Sequence, residues 1–314
     1  MSGAVPATVE QRCPACDAGL DPGSSFHGVD RLHGTRGDFE VRSCPGCGAG
    51  VTLPPATPAE LVSFYPGSYA PYDDAMGRVV GLISRTIRRR QGRHLLASAP
   101  LSALRGARAG RAVDIGCGRG DLAVLFLQLG WQVTGIEPSP EACRAARARG
   151  VDARLGTLAD VELESGAYDA AIFQHSLEHT PDPAGDLARV CDALRPGGLV
   201  LITVPNFASW QRLRFRDRWY HLDLPRHRTH FTPRALEAAL ERAGLKLESL
   251  TTSTSTVGLP ATLQYVIAGR CLFPSGLPLR VAAGLCVIAL PVGRLLDRSH
   301  GGGDQLHAIA RRPI

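Results

Sequence analysis

Residues Arg111 to Ala123, RAVDIGCGRGDLA, leave this chain few ways to fold. The apolar run Ala112 to Ile115 stops at Gly116, Gly118 and Gly120, and a helical pattern of Leu122, Leu125, Phe126 and Leu129 follows at once. The order is strand, glycine turn, helix. Glycines suit such a turn because a side chain would hold the backbone away from a ligand, and the first amides of the helix then point at an arriving polar group. The pattern predicts a nucleotide-like cofactor site. A dinucleotide fingerprint wants its third glycine three residues after the second, where this chain has Asp121, and an apolar residue in place of Asp114. The next apolar run, Trp131 to Ile136, also ends on an acid, Glu137.

From Arg111 the pattern alternates. Strands are expected at 111–115, 131–136, 151–155, Tyr168 to Phe173 and Leu199 to Val204, with helices at 119–129, 139–149 and Pro183 to Leu194. Thr232 caps a helix with Pro233 at its first position; strands near Leu245 to Leu250 and Asp304 to Arg311 close the domain. Such alternation means a parallel sheet with ligands at the carboxyl ends of the strands. Two stretches, 205–231 and 253–303, read as insertions.

The first fifty residues carry different chemistry. Cys13-Pro-Ala-Cys16 and Cys44-Pro-Gly-Cys47 are two paired knuckles, separated by a strand-like stretch around Asp38 to Arg42. Two thiolates two residues apart can share a metal ion, and a second pair completes a tetrahedral site, for which zinc is the expected ion. Four buried free cysteines are the bland alternative, and no thioredoxin-like βαβ pattern surrounds them to support a redox pair. With all four positions filled by sulfur, the zinc ribbon is expected to be structural. The chain has nine cysteines, an odd number, which fits a reducing compartment better than a disulfide framework.

Of the 35 basic residues only Lys246 is a lysine, so P-loop or Schiff-base chemistry has little support. The net charge of +6 is modest and the arginines are scattered, so a nucleic-acid partner is not indicated. Residues 51–75 form a proline- and tyrosine-rich connector with a short helix expected near Pro58 to Phe64. Arg78 to Ala97 has the spacing of a basic amphipathic helix, which either covers the sheet or lies on an anionic surface. The opening MSGAVPATVEQ lacks an apolar h-region, so a cytoplasmic protein is expected. The most apolar stretch is Gly258 to Leu296; its longest run, Val281 to Gly293, is shorter than the ~20 residues a bilayer needs, which leaves peripheral membrane contact or ordinary packing.

VDIGCGRGDLA, VTGIEPSP, YDAAIFQHSLEHTPDP, LRPGGLVLITVPN and HRTHFTPRALEAALERAGL resemble successive motifs of the class I S-adenosylmethionine (SAM) methyltransferases, across most of residues 111–250. The front resembles a recurring subfamily arrangement, in which a ribbon ending CxxCG runs into an LPPATPAELVSFYPGSY-like connector. Members often methylate sugars or other intermediates of surface-glycan and natural-product pathways. The resemblance implies a Rossmann-like, seven-stranded α/β SAM domain at 111–314, a zinc ribbon at 1–50 and a connector at 51–110. It implies a small-molecule, sugar or glycan- or lipid-linked acceptor. By the same resemblance Asp114, Gly116 and Gly118 approach the methionine part of SAM, Glu137 the ribose, Thr157 and Leu158 the adenine, and Gln174 and His175 the methyl-transfer face.

An oxygen or carbon acceptor must lose a proton, which calls for a base tuned near neutrality. His175, directly after a strand end, is the first candidate. His179 beside Glu178 reads equally as a structural residue at a helix start. His221, His227 and His230 lie in the first insertion without zincin spacing, so an acceptor-site loop or plain surface is expected over a metal site. Three other functions stand against methyl transfer to a small molecule. An RNA methyltransferase would want a denser basic and aromatic surface. An NAD(P)-linked oxidoreductase would want the missing glycine. A non-catalytic zinc-ribbon adaptor would not need Asp114, the glycines and Glu137 together.

Overall fold

A computed structural model of the protein describes residues 11–56, 60, 64, 99–271 and 279–314. Apart from residues 60 and 64, the expected helices at Pro58 to Phe64 and Arg78 to Ala97 lie outside the described residues. Four strands form a small antiparallel sheet in the order β1 (Ser25–Gly28), β2 (Phe39–Ser43), β3 (Gly50–Leu53) and β9 (Thr229–His230). The large sheet has seven strands: β4 (Arg111–Ile115), β5 (Gln132–Glu137), β6 (Asp152–Leu155), β7 (Tyr168–Gln174), β8 (Leu194–Pro205), β10 (Lys246–Ser253) and β11 (Gln305–Arg311). Its order is β10-β11-β8-β7-β4-β5-β6, with β11 antiparallel to both neighbours.

Helices α1 (Asp121–Gln128), α2 (Pro140–Ala148), α3 (Pro183–Ala193) and α5 (Pro233–Arg242) cover this sheet; α4 (Trp210–Phe215), α6 (Gly258–Ala268) and α7 (Leu279–Ser299) belong to the insertions. The starts of α2, α3 and α5 share one device. Ser139, Asp182 and Thr232 each accept a backbone N–H from three residues on, and a proline follows at the first helical position, where its missing N–H costs nothing. By contrast α1 begins at Asp121, later than expected, because Gly120 sits in the left-handed region at φ +76°. Among the described residues no helix is long and apolar enough to cross a membrane.

Strand alternation divides the core. Val113, Ile115, Ala171 and Phe173 face one layer, while Ala112, Ala170 and Ile172 join Phe126 and Trp131 on the other. The first layer is continuous with the ribbon, because Cys13, Ala15, Cys44, Cys47, Val51 and Leu53 pack in the same cluster as Leu236 and Leu240 of α5. Strand β9 comes from the first insertion, so residues 229–230 complete the ribbon's sheet against Gly50 and Val51. Since β4 lies between β5 and β7, the chain leaves it in both directions, and the carboxyl end of β4 is the switch point where ligands bind in open α/β sheets.

A buried ion pair joins the two sheets' loops. Arg226 donates from Nη1 and Nη2 to the two oxygens of Asp30 at 2.9 and 2.8 Å and from Nε and Nη2 to Asp223, and both Arg226 and Asp30 side chains are fully buried. Burial alone would raise the Asp30 carboxyl; the guanidinium more than offsets it and holds the group well below the usual carboxylate range. A group depressed in the folded state contributes stability above its unfolded pKa of about 4, and that contribution is lost as pH falls. Asp30→Asn, which leaves the guanidinium short of charge, should cost roughly 3–5 kcal/mol at pH 7. In urea titrations the gap between wild type and variant should shrink as the buffer is taken from neutral towards acid.

Candidate functional site

The glycine turn is shaped by its neighbours. Gly116 N and Cys117 N both donate to Ile136 O, tying the turn to β5. Gly116 has φ +72°, and a Cβ there would meet Ser176 Cβ at 2.6 Å, because the Ser176 hydroxyl reaches over to donate to Ile115 O. Gly118, at φ +54°, differs: a Cβ there would meet nothing within 4 Å, so its bare backbone faces open space.

Two acids flank this opening. Glu137 ends β5 and accepts backbone N–H groups from Gly118 and Ser139, both at 2.8 Å and one on each oxygen. Asp114 is 2% exposed, and its Oδ2 has no hydrogen-bond partner among the described residues. Burial and then the nearby Glu137 carboxylate push Asp114 up to about 7. A buried acceptor without a donor, beside bare backbone, fits a ligand that brings a cationic donor, as the methionine ammonium of SAM does.

Gln174 is exposed at the end of β7. His175 follows in the left-handed region at φ +54°, a costly conformation for a residue with a Cβ, held there by its N–H donating to Thr203 O. Gln305 Nε2 donates to His175 Nε2 at 3.1 Å, which places the ring proton on Nδ1, 3.4 Å from Glu178 Oε1. The other expected ligand residues lie beyond β6. Thr157 is exposed and donates to Asp160 from both N and Oγ1, while Leu158 is buried in the core.

The histidines of the first insertion are not a surface: His221, His227 and His230 are 7%, 7% and 3% exposed. The plain-surface expectation is thereby corrected; spacing could not show that each ring meets a partner distant in sequence. His221 Nε2 lies against Asp304 and Ser255, His230 Nε2 against the Thr52 hydroxyl, and the His227 ring edges onto His179 at 4.6 Å between centroids. Burial, and then His179, pushes His227 well below the ordinary histidine value; burial, and then Arg212, takes His230 down to about 3. Gln305 and His307 were not anticipated. They alternate with Leu306 and Ala308 along β11, a period-two signal that would have marked a polar face.

The four ribbon cysteines converge, with every Sγ within 4.8 Å of the others. Cys13 and Cys47 are 3.6 Å apart and Cys16 and Cys44 3.4 Å, close to the about 3.8 Å edge of a tetrahedron built on 2.3 Å metal–sulfur bonds and far too long for disulfides. The Cys47 thiol donating to it lowers Cys13, and the same contact with burial raises Cys47: the sulfurs stabilise one thiolate and resist a second without a cation.

Comparison with known proteins adds to this geometry. A family model described as "Methyltransferase domain" matches residues 87–250, just over half of the chain. A ubiquinone biosynthesis O-methyltransferase from Xanthomonas axonopodis pv. citri is 32% identical over 153 residues, covering 45% of this chain and 64% of the relative. The protein of the same name from Xanthomonas oryzae pv. oryzae is 33% identical over the same shares. The chain thus spans 64% of the length of these curated relatives. Among solved structures, a candidate sarcosine dimethylglycine methyltransferase from Galdieria sulphuraria is similar with a TM-score of 0.50 at 14% identity, over 71% of this chain and 86% of that one, a likeness of fold.

Asp114 gives a pH signature. Its folded pKa lies about three units above the unfolded one, so the folded protein holds a proton that the unfolded chain releases, and stability falls as pH rises from about 4 to 7. At roughly 1.4 kcal/mol per unit the full effect is about 4 kcal/mol. Asp114→Asn should flatten that part of the stability profile in denaturant titrations without ligand.

Proposed function

The chain belongs to the methyltransferase-domain family, and from that premise we propose that it transfers a methyl group from SAM to a small-molecule acceptor. The reading includes sugars and glycan- or lipid-linked intermediates. The observation that carries it is the unpartnered Asp114 oxygen beside the open face of Gly118, with Glu137 across the turn. Asp114 and the glycine backbone would receive the methionine end, and Glu137 the ribose hydroxyls. SAM brings an activated methyl group on sulfur, so the chain's own task is to align an acceptor and accept its proton.

His175 serves that task at the end of β7. With the ring proton on Nδ1, the accepting atom is Nε2, and an acceptor hydroxyl must displace the Gln305 amide to reach it. The relatives' name, an O-methyltransferase, favours oxygen as the methylated atom. Exposed apolar side chains support a partly apolar acceptor or peripheral membrane contact: Leu213 on α4, Ile267 on α6, Val292 and Leu295 on α7. The sulfur geometry of Cys13, Cys16, Cys44 and Cys47 supports a structural zinc ion in the ribbon.

Calorimetry with SAM, S-adenosylhomocysteine and NADH tests the reading. The first two should bind and NADH should not; binding of NADH alone would overturn it. Glu137→Ala should weaken SAM by a hundredfold or more, since two charge-assisted hydrogen bonds of roughly 1.5–3 kcal/mol each are lost. His175→Ala should lower turnover far more than SAM affinity, and equal losses in both would make it a binding residue.

A further inference from the structure

Glu178 is a buried group that the chemistry so far leaves unused. Its side chain is 1% exposed, and neither carboxylate oxygen has a hydrogen-bond partner among the described residues. The ring nitrogens beside Oε1 are His175 Nδ1 at 3.4 Å and His227 Nε2 at 3.9 Å, both longer than the about 2.7–2.9 Å of a charge-assisted hydrogen bond. A carboxylate taken out of water and left unbonded demands a counter-charge.

Two imidazoles converge on it with their tautomers set by the backbone. His179 Nδ1 lies 3.2 Å from Arg226 O and His227 Nδ1 2.9 Å from His221 O. A carbonyl oxygen only accepts, so each Nδ1 carries a proton, and in the neutral ring the lone pair lies on Nε2. One ligand atom from each of Glu178, His179 and His227 lies within 4.8 Å of the other two. Metal-ligating histidines are commonly held by one ring N–H on a carbonyl. Bonds of about 2.0–2.2 Å would set the three donors about 3–3.6 Å apart, a closure of roughly 1 Å within side-chain reach.

We propose that Glu178, His179 and His227 form a second metal site, for a first-row divalent cation such as zinc, manganese or cobalt, separate from the four cysteines. Two neutral imidazoles and one carboxylate suit such ions. Three protein ligands leave coordination positions open, and His179 and His175 are partly exposed. On the methyl-transfer reading, on which this role rests, the cation would hold the acceptor hydroxyl and lower its pKa, so that His175 receives the proton of a stronger acid. His179 and His227 are brought together only by folding, which is why spacing alone did not show the site.

Cobalt titration of chelator-treated, reduced protein tests the site directly. Two equivalents are expected: one with the intense sulfur-to-cobalt charge-transfer absorption of the cysteines, and one with weak d–d bands alone. Glu178→Gln and His227→Gln should each weaken the second equivalent by about tenfold or more and keep the first. If wild type binds a single equivalent, or if the second survives in both variants, the site does not exist. The wild-type count decides even where a variant fails to fold. SAM calorimetry on the same samples is independent: lack of SAM binding would end the methyl-transfer reading and leave the cobalt count untouched.

Discussion

One residue's main chain joins the two halves of this protein. Arg228 N–H donates to Glu178 O of the large domain at 2.8 Å, and Arg228 C=O accepts Thr52 N–H of the ribbon at 3.0 Å. Thr52 also donates its hydroxyl to His227 O and meets His230, while Thr232 donates to Cys47 O and caps α5. Buried backbone groups have to be bonded, so the segment from Asp223 to Thr232 can be ordered only when ribbon and sheet are both in place. The positions of His227 and of the start of α5 are thereby tied to the N-terminal sheet.

Costly features gather where the strands end. His175 sits in the left-handed region, Asp114 is buried beside another acid, and Glu178 lacks a hydrogen-bond partner among the described residues. Each opposes folding locally. The two apolar layers of the seven-stranded sheet offset them, with Val113, Phe173, Leu201 and Ile202 almost wholly buried immediately beneath.

What could be read from the residues was local. The strand at 111–115 lies where its apolar run predicts, and α2, α3 and α5 begin at their Ser, Asp and Thr caps, because a period and a cap are contained within a few residues. The glycine turn and both acids were legible for the same reason. The pairing of Gly50 with His230, the Asp30–Arg226 lock and the meeting of His179 with His227 were not, since each joins distant segments through contacts that no local pattern encodes. Gln305 beside His175 is a further case: its strand was expected, but which neighbour that strand would meet was not.

Strand β11 lies between β8 and β10 and bonds to both along its length. The ribosome makes it after every other strand of the sheet. Until residues 305–311 emerge from the exit tunnel, β8 and β10 each carry an unpaired row of amides and carbonyls, and β8 is among the most apolar strands in the molecule. During translation the nearly finished sheet is therefore open one strand in from its edge, a state that invites pairing with another nascent chain. Insertion of β11 closes the gap and turns two sticky edges into interior ladder.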